Sequence, residues 1–194
     1  MSTEPGADGA PVVAFADVAA FEAWLDEHVD ARAGVWLKLA KKGTGVPSLT
    51  SDEAVDVGLC FGWISGQRRS LDDVYYLQKY VPRRSRSRWS QVNVAKVEQL
   101  LGAGRMRPAG LAEVDAARAD GRWAAAYESQ RDATVPPDLA EALAANPVAG
   151  RAFEALGRTG RYAVILKLLT SRTDTARAAQ LARAVAALAG TTGE

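Results

Sequence analysis

Four arginines, Arg83, Arg84, Arg86 and Arg88, fall within six residues of the stretch PRRSRSRWSQVN, Pro82 to Asn93. Guanidinium groups are planar, permanently charged forks that match phosphate and carboxylate, and an indole beside them can stack on a base or sugar. Trp89 occupies that place. Ser90 then reads as the cap of a helix with Asn93 in its first turn, and a helix start offers unpaired N–H groups to an anion. Arg83, Arg84, Arg86, Arg88, Trp89, Ser90 and Asn93 are therefore the candidate anion-binding residues, with Arg68, Arg69 and Lys79 placed to widen the patch. A competing reading uses the same residues structurally. Ser90 then only caps, Trp89 is a hydrophobic staple, and the arginines pair with acidic residues upstream.

The charge distribution fits either reading. Residues 1–65 carry 4 basic and 10 acidic side chains, residues 66–108 carry 10 and 3, and residues 109–194 carry 10 of each. A basic segment marks an anion-facing surface unless it is neutralised from within the chain.

Other chemistries lack their residues. Cys60 is the single cysteine and His28 the single histidine, which rules out an intrachain disulfide and gives no ordinary zinc ligand set. A Ser-His-Asp triad would have to use His28, set in the helical stretch EAWLDEHVD. No catalytic residue, metal ligand or cofactor is expected. GAGRMRPAG has two glycines after a helix and Pro108 opening the next, without the spacing of a phosphate loop. CFGWISG brackets Trp63 with glycines that let a ligand approach the backbone or, as the preferred reading, simply let a helix turn into a strand beneath a buried indole. Trp63 and Ser65, with Arg105, make a second candidate pocket.

The elements that must position these residues follow from periodicity. Val18, Phe21, Trp24 and Leu25 recur at helical spacing behind Asp17 as cap. GVWLKLAKK alternates Val35, Leu37 and Leu39 against Trp36 and Lys38, a half-buried strand. Thr50 to Glu53 has capping-box spacing and starts a helix to about Cys60. Trp63 to Val81 predicts a hairpin turning near Asp72-Asp73, its second arm rich in β-formers. Helices follow from Ser90, from Pro108, and after Pro136-Pro137 over about 138–145, 147–156, 159–171 and 173–188. The last has an apolar stripe through Ala178, Leu181, Val185 and Leu188. Met1 to Pro11 is small and polar, without the basic start and apolar run of a secretory signal. No apolar run reaches the ~18 residues needed to span a bilayer, so a cytoplasmic, non-transmembrane protein is expected.

In chain order, VWLKLAKK, LTSDEAVDVGLCFGWISG, VPRRSRSRWSQVN, GRMRPAGLAEVDAARADGRW and VPPDLAEALAANPVAGRAFEAL resemble the bacterial YdeI/OmpD-associated family, the bacteriocin-protection proteins. The resemblance covers about Phe15 to Leu188. Ser87 fills the serine position two residues before Trp-Ser. The family commonly reads GWIDG where this chain has Ser65 in place of the aspartate. Its last helix is usually more basic, whereas here Arg177 is kept beside Ala176, Ala179 and Gln180. The resemblance implies tolerance of bacteriocins or antimicrobial peptides and a link to an outer-membrane porin.

The expected fold is α+β, a small antiparallel sheet packed with helices plus a C-terminal helical segment. Its divisions are a flexible tail over 1–14, a core domain over 15–133 and the helical segment over 134–190, packed on the core. The expected function is a non-enzymatic stress or bacteriocin-protection protein with a basic anion-binding surface, whose partner is a phosphate-bearing or other anionic ligand, nucleic acid among the candidates. One alternative is an enzyme on a small phosphorylated or carboxylated substrate, with Tyr75, Tyr76 or Asp72 carrying protons. Another is a protein-interaction module anchored by Trp and Tyr side chains.

Overall fold

The computed structural model describes residues 4–5, 8–130, 132–171 and 173–190. It divides into two compact units, the first formed by residues 1–89 and 93–126, the second by 90–92 and 127–194.

The first unit is built on a mixed sheet. Its elements in chain order are β1 (Glu4–Pro5), β2 (Pro11–Val13), α1 (Val18–His28), β3 (Val35–Ala40), α2 (Ser51–Cys60), β4 (Trp63–Ser70), β5 (Tyr75–Pro82), α3 (Gln91–Gly102) and α4 (Pro108–Ala119). The strands lie in the order β1-β2-β3-β5-β4. β3, β5 and β4 are antiparallel neighbours, whereas β2 runs parallel to β3, with Val12 opposite Trp36 and Val13 opposite Leu37. The fold is α+β, and β2 gives the sheet a parallel pair beyond the antiparallel set expected.

That strand also changes the reading of the N-terminus. Residues 8–13 do not trail away as a flexible tail. Asp8 accepts hydrogen bonds from Trp36 Nε1 at 3.0 Å and Lys79 Nζ at 2.9 Å, and Ala10 is buried. The remainder of the expected tail includes residues 1–3 and 6–7, which lie outside the described residues. Sequence reading missed β2 because three residues are too few to show alternation.

Local signals place the other elements. The Asp17 carboxylate accepts the Ala20 N–H at 2.9 Å, and Thr50 and Glu53 complete a reciprocal capping box. Val35, Leu37 and Leu39 project into one core with Phe21, Leu25, Val57, Trp63 and Tyr80. Trp36 points to the opposite face of β3 yet is also buried, because Asp8 and the cations of Arg69 and Lys79 cover it. The hairpin turns where expected. The Asp72 carboxylate accepts the N–H groups of Val74 and Tyr75 at 2.8 and 2.7 Å, closing an Asx-type turn. A bulge between Ser65 and Arg68 shifts the β4 register.

The second unit contains α5 (Pro137–Ala145), α6 (Pro147–Ala155), α7 (Arg158–Leu169) and α8 (Asp174–Gly190). Leu139, Leu143, Ala149, Phe153, Ile165, Leu168 and Leu188 form its core, with Leu181 and Val185 packed against them. Ala178, expected on the same stripe, is exposed. Arg177 grips Asp138 with two hydrogen bonds of 2.7 and 2.8 Å and donates to the Leu168 carbonyl at 2.9 Å. The one basic residue retained from the family pattern thus ties α8 to α5. Among the described residues no helix is long and apolar enough to cross a membrane.

Candidate functional site: the arginine loop after β5

The loop that follows β5 separates its arginines into two kinds. Arg83 N–H donates to the Gly62 carbonyl at 2.9 Å, which holds the loop to the α2–β4 turn. The Arg83 side chain, only 6% exposed, folds inward. Its Cζ lies 3.5 Å from the Trp89 ring centroid, and its Nη1 donates to the Arg88 carbonyl at 3.1 Å. A cation stacked on an indole within a core is held by the ring quadrupole and by dispersion. Trp89 is 2% exposed and packs against Trp123 with ring centroids 4.9 Å apart.

Arg84, Arg86 and Arg88 are exposed. Their backbone is held in a tight turn. The Ser87 hydroxyl accepts the Arg84 N–H at 2.9 Å, Ser87 N–H donates to the Arg84 carbonyl at 2.8 Å, and Arg122 Nη1 donates to the Ser87 carbonyl at 3.0 Å. Asp120 in turn pairs with Arg122 at 2.7 Å. Among the described residues no carboxylate lies within ion-pair distance of Arg84, Arg86 or Arg88. The acidic N-terminal segment is instead met by other cations: Lys79 by Asp8 at 2.9 Å, Lys96 by Asp56 at 2.7 Å, and Arg105 by Glu22 at 3.1 Å. Internal neutralisation therefore accounts for much of the basic segment but leaves these three arginines outside it.

A concavity of about 380 Å³ opens where this loop meets the turn before β3. Asp30, Arg32, Pro82, Arg83 and Arg84 line it. Arg32 and Arg84 are exposed there beside a single acid, Asp30, while the Arg83 guanidinium is turned inward onto Trp89. Arg32 and Asp30 were not identified from sequence, because they stand alone in an acidic segment. The signal lay in the sheet: β3 pairs antiparallel with β5, Val35 opposite Tyr80, so the residues just before β3 lie beside those just after β5.

The other candidates separate. Trp89 is a core residue and cannot stack on a base. Ser90 is buried, and its backbone bridges Tyr127. Asn93 is partly buried in α3, and neither it nor Ser90 lines the concavity. Trp63, Ser65 and Arg105 do not form a pocket together. Trp63 is 1% exposed and packs edge-on against Trp24, Ser65 is exposed on β4, and Arg105 is committed to Glu22. A fully covered indole cannot line an open site.

The suggested proton carriers lie away from the arginine loop. Two backbone N–H groups hold the Asp72 carboxyl below its ordinary range. Tyr75 and Tyr76 lie under Lys38 and Arg68. None of the three lines the arginine concavity. His28 stacks on Trp24 and its Nδ1 lies 2.8 Å from the Trp24 carbonyl. Burial pushes the Cys60 thiol up, away from nucleophilic character.

The site and fold define a two-unit α+β protein with an arginine-lined concavity at one end of its sheet. Comparison with known proteins places it further. Residues 13–113, just over half of the chain, match the family described as a domain of unknown function (DUF8412). Residues 132–190 match the family described as bacteriocin-protection, YdeI or OmpD-associated. The chain belongs to the first of these families; the second match supports the YdeI/OmpD-associated resemblance over residues 132–190, whereas most of the motifs that suggested it lie within residues 13–113. Neither the curated proteins nor the solved structures yield a match.

Proposed function

We propose that the protein is a non-enzymatic bacteriocin-protection or stress protein whose working surface binds a phosphate-bearing or other anionic ligand. The protective role is supported by the family name alone. The binding surface is supported by one structural observation, the concavity lined by the exposed Arg32 and Arg84 beside a single acid, Asp30. Arg83, stacked on Trp89 and bonded to the Arg88 carbonyl, fixes the loop that carries Arg84. Arg84 supplies an exposed fork, with Arg86 and Arg88 adding positive potential beside it. The buried Trp89 favours contact through phosphate or carboxylate groups over base stacking, so recognition of a nucleic acid would be tolerant of sequence.

The test is fluorescence anisotropy with labelled single- and double-stranded oligonucleotides across a salt series, comparing wild type with Arg84→Ala/Arg86→Ala/Arg88→Ala, checked for folding by circular dichroism. The expected result is binding that weakens with salt, with a log–log slope lower in magnitude by about 1 for each phosphate contact removed. Unchanged binding by the folded triple variant would overturn the proposed surface. Absence of wild-type binding at low salt would restrict the ligand to small anions.

A further inference from the structure

A second basic depression lies elsewhere in the first unit, at the other end of β3. The loop between β3 and α2 reads KKGTGVPSLT. Both of its ends are fastened. Lys41 N–H donates to the Val74 carbonyl at 2.7 Å, and Leu49 N–H donates to the Phe15 carbonyl at 3.1 Å. Ser48 Oγ accepts the Ala40 N–H at 3.1 Å. Between these anchors Gly43 and Gly45 adopt φ of 87° and 72°, left-handed values that turn the chain around an open space. That space is a cleft of about 620 Å³. A second depression of about 370 Å³ shares Lys41, Lys42, Arg68 and Tyr76 with it, so the two form one groove running from the loop past Tyr76 to Ser70.

The polar groups of this groove divide into spent and unspent. Lys41 Nζ donates to the Asp72 carbonyl at 2.7 Å. Thr50 and Glu53 satisfy each other in the capping box, so the start of α2 is closed by its own carboxylate and is not the attraction. Asp52, the one acidic residue in the lining, lies 3.7 Å from Lys96. Lys42 and Arg68 have no carboxylate partner among the described residues, and Arg68 lies over the Tyr76 ring with Cζ 3.9 Å from its centroid. The Ser51 and Tyr76 hydroxyls make no hydrogen bond among the described residues.

Three cations, Lys41, Lys42 and Arg68, meet a single acid, Asp52, beside two uncommitted hydroxyls and a glycine turn, in a groove of small-molecule size. We propose that this groove is a second binding site, independent of the arginine loop, for a small phosphate-bearing molecule. Arg68, fixed on the Tyr76 ring, presents its fork to the phosphate and Lys42 closes over it. Ser51 and Tyr76 donate hydrogen bonds to its oxygens.

The experiment is a titration of the full chain with inorganic pyrophosphate at low salt, followed residue by residue in amide NMR spectra. Adenosine and AMP serve as a neutral and a phosphorylated pair. The expected result is saturable displacement of the Gly43, Thr44 and Gly45 resonances by pyrophosphate and AMP but not by adenosine. Lys42→Ala/Arg68→Ala should weaken that response at least tenfold, while Arg84→Ala leaves it unchanged. Both replaced residues are exposed, and Lys42→Gln alone, expected to weaken binding severalfold, covers the case of a misfolded double variant. No saturable shift in the wild type, or a shift that survives in the folded double variant, would overturn the proposal. Loss in Arg84→Ala alone would assign the anion to the arginine loop and overturn the independence of the second site.

Discussion

Replacing Gly34 by alanine tests how the arginine concavity is assembled. Gly34 ends the turn that carries Asp30 and Arg32 and stands directly before β3. Its φ is 71°, and a Cβ built there would lie 2.2 Å from the Tyr80 carbonyl oxygen and 2.6 Å from Val81 Cγ1. Two costs follow. The left-handed conformation costs a residue with a side chain about 1 kcal/mol. The contact with the Tyr80 carbonyl cannot be relieved by a rotamer change, since that oxygen belongs to a paired strand, and forcing the strands apart costs about 2 kcal/mol by analogy with overpacking. The total is about 3 kcal/mol. With a urea slope of about 2 kcal/mol/M, the unfolding midpoint should fall by about 1.5 M. Gly43→Ala is the internal control. Its φ of 87° carries the same conformational cost, but nothing lies within 4 Å of the added Cβ, so its midpoint should fall by only about 0.5 M. The same displacement of β3 from the end of β5 should move Arg32 away from Arg84 and weaken oligonucleotide binding in Gly34→Ala more than in Gly43→Ala. Equal midpoints for the two variants would refute the close approach of Gly34 to Tyr80, and with it this account of how Arg32 reaches the loop.

Two further expectations concern residues whose roles the fold decided. Hydrogen bonds from Lys79 and Trp36 hold the Asp8 carboxyl far below its usual range. A depressed acid contributes stability that is present above its unfolded pKa, near 3.8, and lost as pH falls through the folded value. Asp8→Asn should therefore flatten the acid limb of the stability profile below about pH 4, and an acid limb identical to wild type in urea titrations would refute the pairing. Trp89→Ala should cost about 3–5 kcal/mol as a buried aromatic truncation, whereas Trp89→Phe should keep the fold and lose less anion binding than Arg84→Ala. If Trp89→Ala were as stable as wild type by thermal denaturation but failed to bind oligonucleotides, the indole would belong to the ligand surface after all.

The helices and the hairpin were legible because their signals are local. Asp17, Thr50 and Glu53, Pro108 and the apolar spacing of Phe21 and Leu25 need only their own neighbours to act, and the turn at Asp72 closes on N–H groups two and three residues away. Even the choice of α+β follows from such stretches taken together. The arginine cluster was visible for the same reason: charge density along six residues is a property of the chain. Its partition was not. Whether Arg83 turns inward and Arg84 outward depends on Trp89 meeting Trp123, 34 residues further on, and on Gly62 accepting the Arg83 N–H. Whether Trp36 is exposed depends on Asp8, which reaches it only because three residues of β2 lie parallel to β3. Arg32 belongs to the concavity because β3 and β5 pair, a contact across more than 40 residues. Local pattern along the chain was enough to mark which segments could be helix or strand and where positive charge would gather. Which charges are neutralised emerges from packing alone, since ion pairs and cation–π contacts depend on distances of a few ångströms between segments that periodicity does not relate.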